Sequence, residues 1–340
     1  MRLPLSDSGS NAGCPCRSRG VSLIELVVVI TISGIIATVL GAIIVRPIQG
    51  YEAQVRRAQL VDAAEMAVRR MARDIRQALP NSVRIRDNGA GVNSVNCATA
   101  GSVCTIEMLN TADGARYREG PGQLTGPPLG HNHADQKFRL KINNTDSDGF
   151  NIIGLFQNIT VPFTSTTQRL AIYNQTVTGT TGNAYYDGDE TSLPAPSSYV
   201  ITRPGLTTFR IDADDDGDVT NPGGGDEHWI RRVTGNFRFR FASPNQRVYV
   251  VDTPVSYVCN AGANGNITRY WNYPIITAQP STPAGGTSAL LSTPVSACSF
   301  TYSAGSPQRA GLVTFDITVR DNASGEQVRL LYQVHVDNSP

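Results

Sequence analysis

Three groups of side chains in this sequence have types and spacings that could do chemistry. The densest is Asp212-Ala213-Asp214-Asp215-Asp216-Gly217-Asp218, with carboxylates at alternate positions ahead of a glycine. A hard cation such as calcium takes about six to eight oxygen ligands, and a turn carrying Asp212, Asp214 and Asp216 supplies several of them. Counted from Asp212, the place where an EF-hand has its glutamate is Gly223, so the pattern is not an EF-hand. Asp218, Asp226 or Glu227 would complete a looser calcium site. The competing reading is a solvated acidic turn. Asn144, Asp146 and Asp148 ahead of Gly149, and Asp187 and Asp189 around Gly188, are weaker versions of the same pattern.

The second group is the cysteines. Of six, Cys14 and Cys16 fall in a polar N-terminal stretch, and Cys97, Cys104, Cys259 and Cys298 fall in the body of the chain. An exported even set favours disulfides. Three pairings are open, and Cys97–Cys104 with Cys259–Cys298 keeps each pair within one loop-rich region. Zinc is the alternative, but its sites use closer, CxxC-type spacing. His131 and His133 sit in a Gly/Pro-rich loop with no further ligand placed by sequence, and His335 is out of phase with the apolar residues around it. No serine elbow, HExxH or phosphate-binding loop is present, so nothing marks an enzyme.

The third group is a single acid. Glu25 lies near the start of an apolar run from Val21 to Val45, five residues after Gly20. At a bilayer centre an acid costs about 2.5–3.5 kcal/mol and is rarely kept without a partner. The run is too long for a secretory signal core, and as a helix it spans roughly 37 Å against a hydrocarbon core of about 30 Å. Arg2, Arg17 and Arg19 precede it against Asp7, which keeps the leader cytoplasmic and exports the rest.

These residues need elements to position them. Pro47 interrupts the apolar helix and bends it, and helical periodicity resumes through Leu79. Val61, Ala64, Val68, Met71, Ile75 and Ala78 form one stripe. Arg56, Arg57, Arg69, Arg70, Arg73 and Arg76, with Asp62, Glu65 and Asp74 between them, form the polar face, and Glu65–Arg69 is an i,i+4 pair. This face reads as solvated, with an anionic partner as the alternative. Pro80 and Asn81 end the helix.

From Val83 the period changes to two. Alternation marks strands at Phe138–Ile142, Phe209–Ile211 and Phe237–Phe241, and a hairpin of Val313–Val319 with Val328–Val336 around Asp321–Glu326. Loops are expected over Asn110–Gly130, Thr176–Pro196, Asp212–Asp226 and Ala278–Pro294. Tyr249, Tyr257, Tyr270, Trp271 and Tyr273 gather around Cys259, as core or as a binding surface. The net charge of +1 argues against strong nucleic-acid binding. The fold class is α+β: a long N-terminal helix, apolar then amphipathic, followed by a large antiparallel β-rich head.

The segment Arg19-Gly20-Val21-Ser22-Leu23-Ile24-Glu25-Leu26-Val27-Val28-Val29-Ile30 resembles the processing site and first helix of type IV prepilins and pseudopilins. The resemblance implies cleavage by prepilin peptidase between Gly20 and Val21, N-methylation of Val21, and pairing of Glu25 with the N-terminal amine of a neighbouring subunit. Val21 departs from the Phe or Met usual in the family. Arg69–Arg84, Cys298-Ser299-Phe300-Thr301-Tyr302 and Gln333–Pro340 are similar to the large minor pilins of the mannose-sensitive haemagglutinin (MSHA) system, the family called MshO. A wider likeness is to J-type pseudopilins of type II secretion and W-type minor pilins.

The segments implied are a leader at 1–20, a membrane and filament-core helix at 21–45, an amphipathic helix at 46–80 and a periplasmic or extracellular head at 81–340. Implied partners are other pilins, prepilin peptidase and an inner-membrane assembly platform. The helix would sit in the inner membrane before assembly and in a cell-surface pilus afterwards. The chain would help prime assembly or cap the tip, with a pseudopilin or a tip adhesin as the alternatives.

Overall fold

The computed structural model describes residues 20–87, 90–91, 94–97, 103–118, 140–143, 149–175, 180–191, 197–213, 227–305 and 310–338. In chain order the elements are α1 (Leu23–Arg76), β1 (Arg84–Asp87), β2 (Ala90–Gly91), β3 (Ser94–Cys97), β4 (Val103–Tyr117), β5 (Gly149–Ile153), β6 (Phe163–Thr164) and β7 (Arg169–Ala171). They continue with α2 (Ala184–Asp187), β8 (Thr208–Ala213), β9 (His228–Thr234), β10 (Arg247–Asn260), β11 (Asn266–Trp271), β12 (Thr287–Ser292), β13 (Val295–Ser303), β14 (Gly311–Arg320) and β15 (Gln327–Val336). This is the expected α+β class. The chain divides into two units, Met1–Arg56 and Arg57–Pro340, and α1 contributes to both.

In the first unit the described residues are almost all helix. Pro47 lies inside α1, and the helix runs through it rather than being interrupted. A proline removes one N–H donor, and a long helix tolerates the loss of a single rung.

In the second unit, two antiparallel sheets share a core with the C-terminal part of α1. An eleven-stranded sheet follows the order β12-β11-β10-β4-β5-β9-β8-β6, with β1 and β2 attached beside β4 and β7 beside β10, and a four-stranded sheet follows the order β15-β14-β13-β3. Ala64, Val68, Met71 and Ile75 of α1 are buried against Ile106, Met108, Val255 and Tyr257 of the large sheet and Phe300, Phe315 and Ile317 of the small one. That is the stripe read from the sequence. A second core gathers Tyr117, Phe150, Phe209, Ile230 and Phe237, with Phe150 and Phe237 packed edge-to-face at 5.8 Å.

The β14–β15 hairpin forms in the expected register, with Phe315 opposite Tyr332 and Val319 opposite Val328. Val313, Phe315, Ile317 and Val319 are all buried, and Phe300 of β13 meets Phe315 edge-on at 5.9 Å.

Five expectations change. Helix α1 ends at Arg76, because the backbone of the next residues pairs with β4: Leu79 N–H donates to Leu109 O at 2.7 Å and Thr111 N–H to Gln77 O at 2.9 Å. Asn81 then turns the chain with a φ of 61°. The expected loop from Asn110 is strand as far as Tyr117, since pairing with Val248, Val250 and Val251 of β10 overrides its weak local propensity. Likewise β12 lies within the expected loop at Ala278–Pro294. Phe237 and Phe239 are buried as their alternation implies, yet the segment is no strand. Its backbone makes a parallel bridge, Tyr199 with Phe239, and Phe239 O also accepts from Asn143 N–H at 2.7 Å. Of the expected strand at Phe138–Ile142, residues 138 and 139 lie outside the described residues, and Leu140 is buried without strand pairing.

Candidate assembly site on the N-terminal helix

Gly20 and Val21 are exposed and lie ahead of α1 outside any regular element, with no described residue near the position where a side chain on Gly20 would stand. A backbone this open can enter a peptidase cleft. Val21 is 67% exposed. The first helical bond runs from Leu26 N–H to Ser22 O at 3.1 Å, so Ser22 caps the helix and Glu25 falls in its first turn. A carboxylate there is favoured by the helix dipole, by about 0.3–1 kcal/mol. Among the described residues Glu25 has no hydrogen-bond or ion-pair partner.

From Leu26 to Val45 the helix carries no charged residue. Leu23, Ile24, Val29, Ile30, Ile35 and Ile43 are each more than half exposed. Runs such as Val27-Val28-Val29-Ile30 are poor helix formers in water, since β-branching restricts their rotamers. In lipid the balance reverses, because every backbone group must be bonded within the segment. The hydroxyls obey the same rule: Thr31 Oγ1 donates to Val28 O at 2.9 Å and Thr38 Oγ1 to Ile35 O at 2.8 Å. Among the described residues α1 is the one helix long and apolar enough to cross a membrane.

Residues 15–41 match the prokaryotic N-terminal methylation motif. The match takes in Gly20, Val21 and Glu25, and it supports a pilin-like or pseudopilin subunit of the type IV family processed by prepilin peptidase. No curated protein and no solved structure matches the chain.

Elsewhere the candidate residues fare differently. Cys259 of β10 and Cys298 of β13 form the expected disulfide, which ties the large sheet to the small one. Cys104 is buried and also disulfide-bonded. In register it stands opposite Cys259, while Cys97 stands opposite Cys298. The Cys97 side chain lies outside the described ones.

Of the acidic cluster, Asp212 accepts a hydrogen bond from Arg210 Nε at 2.6 Å and lies 2.9 Å from Arg231 Nε. Asp214, Asp216, Asp218 and Asp226 lie outside the described residues, as do His131, His133, Asn144, Asp146 and Asp148. Among the described residues no three His, Cys, Asp or Glu side chains are placed to hold a metal. Asp187 and Asp189 are buried and bind backbone. Asp187 Oδ2 accepts from Gly182 and Val200 N–H, and Asp189 from Thr191 and Thr277 N–H. Burial works against the Asp189 charge, but the Thr277 and Thr191 donors outweigh it and hold the carboxyl below the usual carboxylate range. His335 is exposed on β15. Tyr257 and Tyr273 are core, while Tyr249, Tyr270 and Trp271 are half-buried.

One carboxylate is misplaced by sequence reasoning. Asp74, read with the solvated arginine face, is 2% exposed. Its Oδ2 accepts hydrogen bonds from Tyr257 Oη at 2.6 Å and Arg269 Nε at 2.7 Å, and Arg70 Nε stands 3.5 Å from Oδ1. The Arg269 guanidinium in turn lies 4.7 Å from the centre of the Trp271 ring. Burial and the Asp74 charge push the Tyr257 phenol well above its ordinary pKa, so it stays a donor. The available signal was position: Asp74 falls between Met71, Ala72 and Ile75, inside the buried arc. The Glu65–Arg69 pair forms as read, at 2.6 Å on the surface.

Another buried carboxylate, Glu107, had no sequence signal. Glu107 of β4 accepts from Arg84 Nε at 2.6 Å and Tyr273 Oη at 3.0 Å. Arg84 also donates to the carbonyls of Thr277 and Ile276 and lies over the Tyr185 ring at 3.4 Å. Arg84 and Glu107 belong to strands adjacent in space but not in sequence, which is why the pairing is invisible before folding.

Proposed function

We propose that the chain is a minor subunit of an MSHA-type type IV pilus, cleaved between Gly20 and Val21 and N-methylated on Val21. The observation that carries this reading is the exposed, apolar N-terminal stretch of α1 from Leu23 to Val45, whose one carboxylate, Glu25, stands in the first turn with no hydrogen-bond or ion-pair partner among the described residues. Cleavage leaves a cationic amine at Val21. When apolar helices pack together, that amine and the Glu25 carboxylate of a neighbour satisfy each other, and either one buried alone would be costly. The work of the site is packing plus one charge pair, not bond-making chemistry. In this reading 1–20 is a discarded leader, 21–45 the membrane and filament-core helix, 46–80 the amphipathic continuation and 81–340 the head. The head faces the periplasm before assembly and lies outside the cell afterwards. A large head on a rare subunit favours a role in initiating assembly or capping the tip.

Mass spectrometry of the full chain from its own cells tests the reading. It should begin at monomethylated Val21 and occur in filaments sheared from the surface. An uncleaved N-terminus, or absence from the filament fraction, overturns it. Loss of protein secretion with pili intact on deletion would move the assignment to a J-type pseudopilin.

A further inference from the structure

The two longest strands that end a sheet are β15 in the small sheet and β12 in the large one. Open edges invite pairing with other chains, and proteins guard them with charge, proline or bulges. Strand β15 is guarded: Arg329 stands ion-paired to Asp316, and Gln327, Gln333 and His335 are exposed beside it. Strand β12 reads Thr287-Ser288-Ala289-Leu290-Leu291-Ser292, with no charge and no proline. Its first four residues are exposed on both faces, Leu290 by 63%. Its one register shift lies beyond them, at the Leu290–Ser292 end.

The helix above this edge has its own open flank. At 100° per residue Met66, Arg70 and Arg73 fall to the same side of Asp74. Asp74 is held by Arg269 of β11, and Arg269 stands opposite Ala289 of β12. That flank adjoins the Asp74–Arg269 contact, one strand in from β12, and among the described residues no strand pairs with the outer side of β12. Met66 is 66% exposed, Arg70 is half-exposed and Arg73 is exposed.

We propose that β12 accepts an extended strand from a different subunit of the same filament, an inference that rests on the filament-subunit reading above. Residues opposite one another in neighbouring strands share a face. The donated residue beside Ala289 thus faces the helix, and a carboxylate there meets Arg70 and Arg73. An apolar residue two places along lies under Met66. Backbone bonds supply the attachment and these side chains the choice of partner. A second copy of this chain is the wrong occupant. The two-fold axis that continues an antiparallel sheet would bring Arg70 and Arg73 of one copy against the same residues of the other, and like charges across a contact select against it.

Hydrogen exchange of the full chain, held in detergent and in sheared filaments, tests this. Amides of 287–291 should slow by about tenfold or more on assembly, while those of 327–336 keep their rates. Ala289→Lys should lower recovery in the filament fraction by about fivefold or more, whereas Ala289→Thr and Leu331→Lys should not. Unchanged exchange over 287–291, or normal incorporation of Ala289→Lys with the Cys259–Cys298 bond intact, overturns the proposal. A cross-link between two Ala289→Cys copies overturns the choice of occupant. Absence of the wild-type chain from filaments is a separate result, because it sinks the filament reading itself.

Discussion

Glu25 and Asp74 are two carboxylates on one helix, and their surroundings are opposite. Glu25 is exposed on an apolar segment and has no partner among the described residues. Asp74 is buried and is held by a tyrosine, one close arginine and a second, looser one. The same contrast runs through the apolar residues: Ile24, Ile30 and Ile43 are open, whereas Val68, Met71 and Ile75 are closed over by two sheets. A carboxylate whose partners lie in its own chain belongs to folding. Glu25 has no such partner among the described residues and lies inside the matched methylation motif, where the proposed reading gives it a partner in another subunit.

The contrast is broken most forcefully at Asp74. Asp74→Ala leaves Arg269 partly buried and the Tyr257 hydroxyl buried without their acceptor. Breaking a buried pair from one side costs about 3–5 kcal/mol. Thermal unfolding of the detergent-held chain, followed by near-ultraviolet circular dichroism, should show the loss as a lower midpoint. If the midpoint barely moves, Asp74 is not the structural carboxylate described here. Next in size is a paired comparison of apolar residues. Ile75→Ala should cost about 2–5 kcal/mol of stability through the cavity it leaves. Ile32→Ala should leave the same transition in place, since Ile32 is 51% exposed. Equal effects from the two changes would erase the distinction between the halves of α1.

How much of this was legible before folding depends on where the signal lay. Local signals were readable: the methylation motif at 15–41, the stripe from Ala64 to Ile75, the alternation of Val313 to Val319, and the turn chemistry at Asp321–Glu326. The Cys259–Cys298 bond was reached by region, although its role in tying two sheets together was not. What escaped depends on partners distant in sequence. Asp74 looked solvated because Arg269 and Tyr257, which bury it, are nearly two hundred residues away. The strand from Asn110 to Tyr117 has a loop-like composition and exists because β10 lies beside it. In Phe237–Phe241 the alternation correctly gave the buried face but not a strand, since periodicity reports burial and cannot supply a neighbour to bond with.

The smallest expected effect is the one that separates the two carboxylates most sharply. Glu25→Gln removes a charge with no hydrogen-bond or ion-pair partner among the described residues, so the stability of the β-rich unit should stay within about 0.5 kcal/mol of wild type, the range for surface changes away from special features, and its unfolding midpoint should hold. In the proposed reading the same variant should still be exported and cut after Gly20, since the bond cut there does not involve the acid. Its recovery in sheared filaments should nevertheless fall, since a packed helix would then leave the Val21 amine of a neighbour without its counter-charge. Wild-type recovery in filaments would separate Glu25 from assembly. A lowered midpoint would mean that the acid has a folding role after all, and the division of labour along α1 would have to be redrawn.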